Sequence, residues 1–179
     1  MATFTKDSNA LTIGLAEINV NNADVGSVSD GTLELTQEIA EHKSGLPLTI
    51  DKRVIIERGA KFTATWEEIH AENMAAAIGM ATSSAGYTDF TYGGNYTDYK
   101  AIYLGRDEPV LEVPVTIKHT RPDGLDVYVK FFKASPGGTF TMPFNPTDWV
   151  GMSVEFGSVV DTAHPEAPLG YIVVPVNQA

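Results

Sequence analysis

Residues 31–66 read GTLELTQEIAEHKSGLPLTIDKRVIIERGAKFTATW, and the period of this stretch decides the fold class. Over residues 32–42, Leu33, Leu35, Gln37 and Ile39 fall on one side, and Thr32, Glu34, Thr36, Glu38 and His42 on the other. A repeat of two belongs to a half-buried β-strand, in which successive side chains point to opposite faces. Lys43, Ser44, Gly45, Leu46 and Pro47 interrupt it with turn chemistry. Alternation resumes over residues 49–58, with Ile50, Val54 and Ile56 opposed to Thr49, Asp51, Arg53 and Glu57. The two runs predict a long hairpin. After Gly59 a third extended stretch sets Phe62, Ala64 and Trp66 against Lys61, Thr63 and Thr65.

Downstream the period changes. Thr65 stands at an N-cap position with Glu68 three residues on and Glu67 in the first turn, and Ala71, Ala75, Ala76 and Ala77 favour a helix to about Met80. Residues 82–98 carry neither period; glycines and serines alternate with Tyr87, Phe90, Tyr92 and Tyr96, which predicts a long loop leading to Tyr99. Further strands are expected at residues 100–104, 111–120, 125–133, 140–142, 149–156 and 171–176. Arg121, Pro122, Asp123 and Gly124 supply a tight reversal between the second and third of these. Pro114 has no amide hydrogen to donate, so its strand should lie at an edge or carry a bulge there. About nine strands and one flanking helix predict a mainly β protein, a β-sandwich or barrel, folded as a single domain over residues 1–179.

The chain has 179 residues and a net charge of −11, and it contains no cysteine. Disulfides, thiolate metal sites and thiol nucleophiles are therefore excluded together. From Ala134 to Ala179 there is no Lys or Arg. Tight binding of a polyanion needs clustered cations, so a nucleic-acid-gripping role is disfavoured. No apolar run approaches the ~20 residues of a membrane-spanning helix. The first residues lack the basic start and apolar core of a secretory signal, from which cytoplasmic synthesis is expected.

Catalytic signatures are missing. His42, His70, His119 and His164 are scattered without metal-ligand spacing, and no nucleophile elbow, phosphate loop or dinucleotide fingerprint occurs. Glu67 with Glu68, and Asp107 with Glu108, are sequence neighbours that do not converge on one substrate. Neither an enzymatic activity nor a metal or cofactor is expected. Tyr87, Phe90, Tyr92, Tyr96 and Tyr99 could build a subunit interface or a sugar- or protein-binding surface of an adhesin-like module. The polar hairpin face, with Glu34, Thr36, Glu38, Asp51, Arg53 and Glu57, belongs to strands whose edges must be covered, closed or used.

The order Gly14, Ala16 and Ile18, then Val20, Asn21 and Asn22, then Val25 and Gly26, then Leu33 to Leu35, resembles the major tail tube proteins of bacteriophages. The hairpin either side of Gly45, then Phe62 and the helix through Met80, continue the likeness; beyond that only strand order matches. The resemblance implies a sandwich whose hairpin joins an intersubunit β-barrel in hexameric rings, stacked into a virion tail that conducts DNA. It implies assembly in the host cytoplasm, with tape-measure and tail-terminator proteins as partners. Glu34, Thr36, Glu38, Asp51, Arg53 and Glu57 would then line a lumen that passes DNA without adhesion, with Arg53 pairing a neighbour's carboxylate. The tyrosine-rich loop, an N-terminal arm of about residues 1–10 and a C-terminal arm of about residues 161–179 would make contacts between subunits.

Overall fold

The computed structural model describes residues 16–46, 48–68, 70–80, 102, 109–142 and 151–175. Among them are eight strands and one short helix: β1 (Glu17–Val20), β2 (Ala23–Asp24), β3 (Val28–Ser44), β4 (Thr49–Trp66), α1 (Ala71–Ala77), β5 (Val113–Thr120), β6 (Asp126–Thr141), β7 (Met152–Ser158) and β8 (Gly170–Val173). All belong to one antiparallel sheet of order β2-β1-β5-β6-β7-β4-β3, with β8 added alongside β6. The two outermost strands, β2 and β3, are separated in sequence only by Val25, Gly26 and Ser27. A linker that short brings the sheet's two edges together, so the sheet rolls around its own core.

That core is the inward face of the pleat. Phe62 pairs with Phe156, Ala64 with Val154 and Trp66 with Met152 across β4 and β7, and all six are buried. Val113, Val115 and Ile117 of β5, Phe131 of β6, and Ile18 and Val20 of β1 complete it. Trp66 and Phe156 stack with ring centroids 5.9 Å apart. The mainly β fold with one helix agrees with the alternation of the sequence.

Local readings are corrected in three places. Gly59 does not separate two strands: β4 runs unbroken from Thr49 to Trp66. Thr65 caps no helix, because Trp66 and Thr65 pair with Val28 and Ser29 on one side and with Met152 and Ser153 on the other. Two ladders hold that backbone in place against one capping bond. Glu68 instead accepts from the Ser27 amide at 3.1 Å, and α1 starts at Ala71 after His70, whose side chain makes no capping bond. The stretch at residues 140–142 is no separate strand, since β6 extends through Thr141.

Pro114 sits in an interior strand at a register shift between Val113 and Val115. The bulge absorbs its missing donor. The reversal after β5 is as read, with the Gly124 amide on the Arg121 carbonyl at 2.9 Å and Gly124 at φ +80°. The expected loop at residues 82–98, the N-terminal arm and nearly all of the strand at residues 100–104 lie outside the described residues. The C-terminal stretch is not a free arm over residues 170–173, which pair with β6. At Gly170 (φ +137°) a Cβ would overlap the Lys130 carbonyl oxygen, so only glycine brings β8 this close.

The loop feeding β8 is fastened by Asp161, which is buried. Its carboxylate bonds the His164 ring at 2.7 Å and the Ala163 amide at 3.2 Å, and the His164 ring stacks on Phe132 at 3.7 Å. These bonds, the His164 contact foremost, hold the Asp161 carboxyl below its ordinary value. A depressed folded pKa gives stability that is complete above the unfolded value and lost as pH falls through the folded one. Asp161→Asn should therefore melt earlier than wild type at pH 7, with the gap closing below the ordinary carboxylate range. A gap that persists at pH 2 in thermal melts would show that the charge plays no part.

Candidate functional site

The candidate site is the β3–β4 ribbon. β7 pairs with β4 only from Lys61 to Trp66, so among the described residues the strand portion 49–60 of β4 has β3 as its one ladder partner, with the Ala60 amide still bonded to the Ser158 hydroxyl. That portion projects about 40 Å at roughly 3.3 Å per residue. Among the described strands β3 is an edge along its whole length, and a lone two-stranded ribbon is marginal in water.

Register decides which side chains share a face. Glu34 lies opposite Lys61, Thr36 opposite Gly59, Glu38 opposite Glu57 and His42 opposite Lys52. Glu34, Thr36, Glu38 and Glu57 thus stand together, as the alternation implied. Asp51 joins them through a 2.7 Å contact with His42 and a 2.8 Å bond from the Ser44 hydroxyl. Those two partners, His42 first, lower its carboxyl from the ordinary value. Lys61 reaches Glu34 and Glu155, each at 3.5 Å, and its ammonium is raised chiefly by Glu155 and then Glu34.

Arg53 is on the other face. The ladder gains an extra β4 residue between Glu57 and Ile55, and a second between Lys52 and Ile50. Each insertion reverses the alternation on β4. Arg53 consequently stands opposite Glu41 and pairs with it at 2.9 Å, in its own chain. Its face continues the core side through Leu33, Leu35, Gln37 and Ile39, which oppose Phe62, Ala60, Arg58 and Ile55. One face of the ribbon carries four carboxylates, Glu34, Glu38, Glu57 and Asp51, against Lys61 and Lys52, with Val54 among them; the other is largely aliphatic, with Arg53 paired to Glu41, and Arg58.

Two observations were not visible in the alternation. Glu38 and Glu57 are directly opposed like charges, an arrangement that destabilises a strand pair. Aliphatic side chains are also uncovered along the ribbon: Leu46 is fully exposed, and Leu48, Leu35, Ile56, Ile39, Val54, Ile50 and Ile55 are exposed as well. At its base, Leu35, Ala60, Val129, Phe131, Leu169 and Ile172 line an apolar groove of about 340 Å³ between the ribbon and β8.

Tyr87, Phe90, Tyr92, Tyr96 and Tyr99 lie outside the described residues. Among the described residues no three His, Asp or Glu side chains gather as a metal site, and no helix is long and apolar enough to cross a membrane. No protein-family model matches the chain, and no curated protein aligns with it.

Proposed function

We propose that the chain is a structural subunit of a bacteriophage tail, the major tail tube protein, whose copies close into hexameric rings and stack into a DNA-conducting tube. The observation that carries this reading is the ribbon: a long antiparallel pair with a free β3 edge, acids on one face and uncovered aliphatics reaching its tip. Standing out from a single chain, the ribbon leaves both edge and aliphatics in water, whereas a neighbour's strands and side chains would cover both.

Size supports it. Strands β6, β7, β4 and β3 are consecutive in the sheet. Four strands from each of six copies, spaced ~4.8 Å and tilted ~40°, close a barrel about 48 Å across the backbone and roughly 38 Å between side chains. In this reading the face with Glu34, Glu38, Asp51 and Glu57 turns inward; its carboxylates outnumber Lys52 and Lys61, the latter held by Glu34 and Glu155, and repel phosphates, whereas a cationic face would release counterions and hold the duplex. Assembly takes place in the host cytoplasm, with tape-measure and terminator proteins as the partners of the finished tube.

Negative-stain microscopy of the purified chain tests the assembly: rings or hollow tubes are expected, and separate particles at every concentration would overturn it. The lumen face is tested by Thr36→Lys, since Thr36 faces Gly59 and a longer side chain has room there. Phage carrying it should build tubes of normal dimensions yet release DNA more than about tenfold more slowly at low salt, recovering as added salt weakens the phosphate contacts. Equal release at all salt concentrations would remove this face from the bore.

A further inference from the structure

The groove beside β8 is bounded by two strand edges that match in direction and in register. β7 and β8 both run antiparallel to β6, along the same side of it. β4 is antiparallel to β7, and so also to β8. Among the described residues β4 has no partner strand on this side beyond Lys61; its last link is the Ala60 amide on the Ser158 hydroxyl at 3.1 Å. β8 likewise pairs, among the described strands, with β6 alone.

Rungs can be counted outward from Ser158, which is level with Ala134 of β6 and one step past the Gly157–Lys61 pair. Two rungs on, β6 has reached Phe131, because Ala134 and Phe131 oppose Val113 and Val115; β8 supplies Gly170 there, and β4 supplies Arg58. Two rungs further, β6 and β8 present Val129 and Ile172. On the ribbon the same step leads from the Gln37–Arg58 pair to the Ile39–Ile55 pair, since Ile56 is the extra residue. Val129, Ile172, Ile55 and Ile39 therefore share one rung, all on the core side. The next rung sets Val173 level with Val54 on the outer side. Ile172, Val173, Ile55 and Val54 are all exposed.

We infer that the ribbon closes onto β8, with Ile55 opposite Ile172 and Val54 opposite Val173 as an antiparallel pair, in a second conformation of the single chain. Closure covers the aliphatic rung and the groove, and satisfies backbone groups on both edges. It joins β6, β8, β4 and β3 into one continuous sheet below the end of β7. It also leaves β3 as the ribbon's free edge, so further strands add from one direction. This device belongs to the isolated chain and does not depend on the ring.

Because the full chain has no cysteine, paired cysteines report the contact directly. Directly opposed antiparallel residues have Cα atoms about 4.5–5.5 Å apart, within disulfide reach. The full-length variant Ile55→Cys with Ile172→Cys, oxidised when dilute, should lose both thiols and remain a monomer on a non-reducing gel. Arg53→Cys with Ile172→Cys, one same-face step out of register, should oxidise at least tenfold more slowly. Two results would overturn the inference: a 55–172 pair that stays reduced, or one that links only different molecules, which would mean that a second copy's strand fills the groove. Each double variant is first checked for wild-type circular dichroism; should the 172 substitution unfold the chain, Val54→Cys with Val173→Cys reads the neighbouring rung by the same criteria.

Discussion

Trp66→Ala is expected to lower the unfolding free energy by about 3–5 kcal/mol, the cost of truncating a large buried aromatic side chain and leaving its cavity. Trp66 is 1% exposed, lies between Val28 and Met152 in the sheet and stacks on Phe156. It ends β4 where the rolled sheet brings its two edges together, so a void there loosens both the β3 and β7 contacts. Total stabilities of domains lie around 5–15 kcal/mol, which makes the loss a large fraction of the whole. With a urea slope of about 2 kcal/mol per molar, the midpoint should fall by roughly 1.5–2.5 M. A fall under about 0.5 M, measured by tryptophan-independent circular dichroism, would place the packing centre elsewhere.

The core was legible because Phe62, Ala64 and Trp66 keep strict alternation and nothing in the sequence competes with it. The same is true of Val113, Val115 and Ile117, and of the Pro122, Asp123 and Gly124 reversal, whose residue types fix its backbone. Thr65 and Glu68 show where local chemistry misleads: a capping box is a contest between one side-chain bond and whatever else the backbone can pair with, and here two neighbouring strands win. Those strands come from residues 28–29 and 152–153, distances no local window spans.

The polar face was legible for Glu34, Thr36, Glu38 and Glu57 but not for Arg53. A bulge adds one residue to one strand and flips everything beyond it, while the sequence on either side still alternates. Only the partner strand reveals it: Glu41 opposite Arg53 is the sign. The like-charge rung of Glu38 and Glu57 was hidden for the same reason, since opposition across a hairpin depends on register. In the proposed ring that cost would have a consequence for assembly, because an element with opposed like charges and uncovered aliphatics gains from a neighbour's side chains laid against it.

Replacing the tip aliphatics should separate folding from assembly. Leu46→Ser, Leu48→Ser and Ile50→Thr together alter side chains that the single chain leaves exposed, beyond the reach of β8, whose last residue is level with Val54 by the rung count. Their loss removes almost no buried surface from the monomer, so its melting temperature should stay within about 2 °C of wild type, as for surface substitutions generally. In a tube, covering each such side chain is worth about 1.5–3 kcal/mol. Losing even about 3 kcal/mol of contact in total raises the concentration needed for assembly by roughly a hundredfold. Sedimentation across a concentration series reads this directly: the triple variant should remain monomeric where wild type forms rings or tubes. Wild-type assembly by the variant would show that the tip stays in solvent after the ring closes; a lowered melting temperature would show instead that the tip folds back on its own chain.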